Sequence, residues 1–229
     1  MSDSTVLLVP QKNLDQAKSR LTLPRARRRQ LAVAMLRAVL TSATAAGFAA
    51  VVVVLDEPDD EREVADLDVT AFHPGCHGLN ASLAAADEAA RTWYGPVRLA
   101  VVPADLPLVT PGLLDLSLRA AEPHARAFIA DRSSTGTTLL FAGAGVALRP
   151  AYGPGSAAAH AAQGAYRIDD ADLDLLRRDV DDLTDLAAAN IHFRHTERWG
   201  EQREALGRQD STRHRRGAGS RSGDRGGIR

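Results

Sequence analysis

Four consecutive valines inside Ala49–Leu55 constrain the fold more than any other feature of this chain. A short, uninterrupted apolar run is too brief to cross a bilayer, and it lacks the in-out alternation of a half-exposed strand. It fits a strand covered on both faces, as in a parallel sheet with helices packed on either side. Val97–Val102 has the same character, and Thr5–Val9 reads as the first strand. Longer segments with helical spacing lie between the strand candidates. One is opened by Pro24, carries Leu31, Met35, Leu36 and Leu40 on one stripe, and stops at Gly47. The alternation predicts an α/β domain with a mostly parallel sheet and helices on both faces.

The rest of the chain fills in the same pattern. A short acidic helix is expected over 59–66, a weaker strand over Val69–Phe72, and a helix from about Asn80, which is itself a candidate cap, to about Thr92. Thr110-Pro111 pairs a hydroxyl cap with a first-turn proline. Further strands are expected at Phe128–Ala130 and Thr138–Phe141, with helices over Ser156–Gln163 and Leu183–Asn190.

With 229 residues, 45% of them hydrophobic, the chain can build a real core, which excludes disorder throughout. The single cysteine, Cys76, excludes an internal disulfide framework, and no apolar run is long enough to span a membrane. MSDST lacks the regions of a signal peptide, so a cytoplasmic location is expected. No G-x-S-x-G turn, H-E-x-x-H helix or cysteine pair is present, and His73, His77, His124 and His160 are scattered without an expected catalytic role. Residues 201–229 hold eight arginines against Glu201, Glu204, Asp210 and Asp224, with almost no apolar side chains beyond Gly207. The chain is therefore read as one domain over 1–200 followed by a disordered Arg/Gly-rich tail over 201–229. Without interleaved aromatics, that tail is not expected to bind nucleic acid.

Ligands of open α/β sheets gather beyond the carboxyl ends of the strands, so the loops after strands are the ones to inspect. VPQKNLDQAKSRL places Lys12, Lys18 and Arg20 in the first of them. Lys12 and Lys18 are the only lysines in the chain. Three cations after a buried strand suit a triphosphate, although a solvated basic loop reads the same way and the glycine-rich phosphate loop is absent. Asp105 ends the most hydrophobic strand, where a carboxylate is costly unless something positive meets it, and a metal is the obvious partner. Asp131–Thr137 is dense in hydroxyls and glycine. Asp179-Val180-Asp181-Asp182 offers spaced carboxylates of the kind that hold Mg2+ with substrate phosphates, while an acidic run before a helix also complements the helix dipole.

Six segments, VPQKNLDQAKSRL, Gly78-Leu79-Asn80, ADLPLV (104–109), DRSSTGTTLL (131–140), YGPGSAAAH (152–160) and RDVDDLTDL (178–186), occur in order over roughly residues 5–190. Together they resemble the CofC/FbiD guanylyltransferases, which act in the assembly of a deazaflavin redox coenzyme. The resemblance implies a nucleotide-diphospho-sugar-transferase-like (MobA-like) fold, with GTP, Mg2+ and a small phospho-acid acceptor. By motif position, Lys12, Lys18 and Arg20 would face the GTP phosphates, and Leu79 and Asn80 would lie near the nucleoside. Asp105 and Asp179 would hold the metal. Thr137, Gly153 and Ser156 would bind the carboxylate end of the acceptor, Ser156 at a helix N-terminus. The family's GTGT stretch reads Ser134-Thr135-Gly136-Thr137 here, with its first glycine replaced.

The resemblance also accounts for the missing general base. A phosphate monoester with a second pKa of about 6 is already mostly a dianion at neutral pH, so the barrier is charge repulsion and catalysis reduces to alignment and neutralisation. Phosphoenolpyruvate is the expected acceptor, with 2-phospho-L-lactate, 3-phosphoglycerate or an unrelated acceptor such as a sugar phosphate as alternatives. The product would pass to the next pathway enzyme. A reading of another class is a non-catalytic nucleotide-binding protein with a basic interaction tail.

Overall fold

The computed structural model describes residues 5–16 and 23–180. The expected helix over Leu183–Asn190 and the tail over 201–229 lie outside the described residues, as do Lys18 and Arg20. The chain divides into two compact units, Met1–Ala189 and Asn190–Arg229, and every described residue belongs to the first.

Seven strands form one sheet in the order β3-β2-β1-β4-β6-β5-β7. They are β1 (Thr5–Gln11), β2 (Ala50–Leu55), β3 (Thr70–Phe72), β4 (Arg98–Val101), β5 (Arg126–Ala130), β6 (Thr137–Ala142) and β7 (Tyr166–Arg167). β6 runs antiparallel to both of its neighbours, β4 and β5, and the remaining pairs are parallel. The helices are α1 (Arg25–Ala45), α2 (Leu79–Tyr94), α3 (Pro111–Ala121) and α4 (Ser156–Ala162).

The valine run shows why both faces must be covered. Successive side chains of a strand point to opposite sides. Val51 and Val53 join Leu7 and Val9 under α1 and α3, whereas Val52 and Val54 join Val6 and Leu8 under α2 and α4. Two apolar layers sandwich the sheet, and α1 contributes Leu36, Val39 and Leu40 to the first of them. At α3, the cap read from sequence is in place: Thr110 Oγ1 accepts from the Leu113 N–H at 3.3 Å.

Four local expectations are corrected. The acidic stretch after β2 is a 3-10 helix over Pro58–Glu63, a single short piece with Asp59, Asp60 and Glu61 in its first turn. Asn80 does not cap α2. Gly78 occupies that position at φ 96°, and the Asn80 side chain is engaged elsewhere. Beyond α4 the chain adds β7 and a 3-10 helix over Ala171–Arg177, neither of which the sequence announces. Asp179 therefore follows a 3-10 helix and not a strand.

Candidate functional site

The sheet order reverses between β1 and β4. β1 is followed outward by β2 and β3, after which the chain returns to place β4 on the other side of β1. A crevice opens beyond the carboxyl ends at such a switch. Leu8 pairs with Val101, so Lys12 after β1 and Asp105 after β4 each emerge four residues past that pair, at the same sheet edge. β5 runs in the same direction as β4, and Ala130 pairs with Thr137, so the loop Asp131–Gly136 and the start of β6 reach this edge as well.

Lys12 is exposed at the end of β1. The loop that carries it is pinned from outside the sheet. Asp60, 5% exposed, accepts the Leu14 N–H at 3.0 Å and Arg29 Nη1 at 2.9 Å, and Arg29 also reaches Glu63 at 2.9 Å and Asp15 at 3.3 Å. Burial works against the charge on Arg29. The hydrogen bonds to Asp60 and Glu63 outweigh it and raise the guanidinium pKa above its ordinary value.

Asp105 and Asp179 lie 74 positions apart in sequence, and the backbone meets between Asp105 and the residue after Asp179: the Val180 N–H donates to the Asp105 carbonyl at 3.1 Å. The segment before Val180 is held along the sheet edge by Arg177. Its carbonyl accepts the Arg132 N–H at 2.9 Å, and its guanidinium donates to the carbonyls of Ile168 at 2.9 Å and Ala130 at 3.3 Å. Among the described residues, no group of three or more His, Cys, Asp or Glu side chains could hold a metal. Mg2+ asks for fewer than three, since it takes one or two carboxylates and fills its octahedron with water and substrate phosphate. Asp181 lies outside the described residues.

The three expected acceptor residues form a second cluster. Thr137 opens β6, and its Oγ1 lies 2.9 Å from His160 Nδ1. The Thr135 carbonyl accepts the Ala157 N–H at 3.1 Å, which docks the start of α4 on this loop, while the Ser156 N–H closes a turn on the Gly153 carbonyl at 3.0 Å. Gly153 has φ 137°, a conformation that a side chain would strain. Asn80 clamps the approach to that turn. Its Nδ2 donates to the Tyr152 carbonyl at 2.9 Å, and its Oδ1 accepts the Tyr152 N–H at 2.7 Å. Leu79 and Asn80 thus stand at the first turn of α2, with Asn80 bonded to the loop at Tyr152.

Sequence reasoning missed two residues of this cluster. His160 is buried, and its Nε2 accepts the Ala151 N–H at 2.9 Å, so one ring bonds to both Thr137 and the 151–152 loop. Tyr152 packs edge-on against that ring with centroids 5.5 Å apart. Its hydroxyl is buried without a hydrogen-bond partner among the described residues. Burial, and then the negative charge of Asp105, push the Tyr152 pKa up, so the phenol stays protonated. The available signal was YGPGSAAAH, which contains both residues but does not reveal what a lone histidine four positions into a helix faces.

A mostly parallel sheet with its crevice at such a switch point is a nucleotide-binding type of fold. The profile of the MobA-like NTP transferase domain matches residues 19–175. A nucleotidyl transferase from Methanothermobacter thermautotroptrophicus superposes with a TM-score of 0.58 at 18% identity, covering 84% of this chain and 99% of that one. A 4-diphosphocytidyl-2C-methyl-D-erythritol synthase superposes with a TM-score of 0.59 at 11% identity, covering 82% and 97%. These likenesses show the fold alone. Sequence relatives go further: the phosphoenolpyruvate guanylyltransferase of Streptomyces scabiei is 42% identical over 192 residues, 80% of this chain and 88% of that protein. The phosphoenolpyruvate guanylyltransferase of Thermomonospora curvata is 42% identical over 188 residues, 80% and 82% of the two chains. The chain belongs to the CofC/FbiD family of guanylyltransferases. No described helix is long and apolar enough to cross a membrane.

Proposed function

We propose that this protein transfers GMP from GTP to phosphoenolpyruvate with release of pyrophosphate, in the cytoplasm, as a step in deazaflavin coenzyme assembly. The phosphoenolpyruvate acceptor is supported by relatives of that name at 42% identity. The observation that supports the mechanism is the 3.1 Å backbone bond from the Val180 N–H to the Asp105 carbonyl, which brings the chain next to Asp179 up to Asp105 at the switch point.

The acceptor phosphate, mostly a dianion at neutral pH, attacks the α-phosphorus of GTP. A phosphorus–oxygen bond to the acceptor forms as the one to pyrophosphate breaks, and no side-chain base is needed. Lys12, Lys18 and Arg20 offset the charge of the pyrophosphate, and the first turn of α2, at Leu79 and Asn80, borders the nucleoside. Thr137, Ser156 and the backbone at Gly153 hold the acceptor carboxylate through hydroxyl and N–H donors. Asp105 and Asp179 would hold Mg2+. When bound, that ion supplies positive charge between two anions that repel each other.

The test is incubation with GTP, Mg2+ and, separately, phosphoenolpyruvate, 2-phospho-L-lactate and 3-phosphoglycerate, with the guanylylated product weighed by mass spectrometry. Pyrophosphate and product are expected with phosphoenolpyruvate. Asp105→Asn should fold normally and lose turnover. Product with a sugar phosphate, and with none of the three acids, would overturn the reading.

A further inference from the structure

His160 sits between two groups whose hydrogen-bonding options differ. The Ala151 N–H can only donate, so Nε2, 2.9 Å away, must present a lone pair to it. An imidazolium, with protons on both nitrogens, would aim one N–H at another. The ring is therefore neutral and carries its proton on Nδ1. Burial, followed by the positive charge of Arg126, pushes the His160 pKa down to about 4, in line with a neutral ring.

Thr137 Oγ1 lies 2.9 Å from Nδ1 and so accepts from it. A hydroxyl that accepts along one direction keeps its own proton for another. We infer that His160 is a positioning residue for the acceptor: by donating from Nδ1 to Thr137 Oγ1, it turns the Thr137 hydroxyl into a dedicated donor to a carboxylate oxygen of the phospho-acid. The same ring ties the Ala151–Tyr152 loop, and with it the approach to Gly153 and Ser156, to Thr137. The inference rests on the reading of Thr137 as an acceptor contact given above.

The experiment has two arms on the full chain. In the first, nitrogen-15 spectra of the histidine side chains, assigned by loss of one signal in His160→Asn, report the tautomer of His160. A neutral ring protonated on Nδ1 is expected, and protonation on Nε2 or on both nitrogens near neutral pH overturns the inference whatever the variants do. In the second, steady-state kinetics with phosphoenolpyruvate and GTP are measured for His160→Gln, which keeps an acceptor near Nε2 but leaves Thr137 unbonded. His160→Asn places an amide near Nδ1.

His160→Gln should raise the phosphoenolpyruvate KM about tenfold while the GTP KM stays within about twofold, as expected for a hydrogen bond to a charged group. His160→Asn should recover most of that loss. Thr137→Val should raise the same KM, and adding His160→Gln to it should cost little more. Additive losses in the double variant, or an unchanged KM in His160→Gln beside a raised one in Thr137→Val, would remove the positioning role alone. An unchanged KM in Thr137→Val would remove the acceptor reading and this inference with it.

Discussion

Ser134 stands where the family stretch has a glycine, and it adopts φ 62°. That is the left-handed region, where a Cβ approaches the following carbonyl and costs about 1 kcal/mol relative to glycine. The loop keeps its shape because its neighbours dictate it. Asp131 accepts the Thr135 N–H at 3.0 Å, its backbone N–H donates to the Gly136 carbonyl, and Ser134 Oγ accepts from Arg167 at 3.0 Å. The contact to Arg167 is exposed and worth little. Ser134→Gly is therefore expected to raise the unfolding free energy by about 1 kcal/mol, read as a higher urea midpoint with an unchanged slope. A lower midpoint would mean that the Arg167 contact outweighs the backbone strain. A Cβ at Gly136 would meet Asp131 Oδ2 at 2.5 Å, so a side chain there would have to displace the carboxylate that holds the Thr135 N–H.

At the scale of elements, the loop after β1 depends on α1 and the 3-10 helix Pro58–Glu63. Asp60 belongs to the latter, and its two bonds, to the Leu14 N–H and to Arg29, fasten the chain just beyond Lys12. Asp60→Ala strands a buried N–H and removes one of the carboxylates around Arg29, for a loss of roughly 2 to 3 kcal/mol. On the proposed roles, the GTP KM should rise more than the acceptor KM, because the fastened loop carries Lys12. Equal effects on both would disconnect this clamp from the nucleotide side. The elements that sequence pattern revealed are those whose signal is local: strands of continuous valine and leucine, the 21-residue α1 with its stripe, and the Thr110-Pro111 cap. β7 spans two residues with Tyr166 exposed, and Ala171–Arg177 buries only Leu173 and Leu176, so neither leaves a period to detect. Asn80 was legible as a residue of interest but not in its task. Its partners, the N–H and C=O of Tyr152, are 72 positions away. Asp105 and Asp179 were legible one by one, and the backbone bond between Val180 and Asp105 is a tertiary fact.

For the whole molecule, the same burial that keeps His160 neutral makes its stability depend on pH. The ring is 1% exposed, and its pKa is pushed down to about 4, against an ordinary 6.5 in the unfolded chain. Between those values the unfolded chain binds a proton that the folded one refuses, so acid favours unfolding. Stability should be unaffected by this group above pH 6.5 and fall as the pH drops towards 4, by at most about 3 kcal/mol at ~1.4 kcal/mol per unit. Carboxylates act in a lower window. Asp15, held below its ordinary pKa first by a hydrogen bond from Arg25, contributes above the unfolded carboxyl value and loses that contribution as the pH falls through it. Asp169 behaves alike, because the bonds from Arg167 and Arg177 prevail over burial. Urea midpoints from pH 7 to 4.5 therefore isolate the histidine from both. The wild type should lose stability steadily across that range, and His160→Asn, starting lower at pH 7, should show a flatter profile that converges on it. Parallel profiles would mean that the slope arises elsewhere and that His160 takes up its proton inside the folded domain, which would also break the Ala151 bond that ties the 151–152 loop to β6.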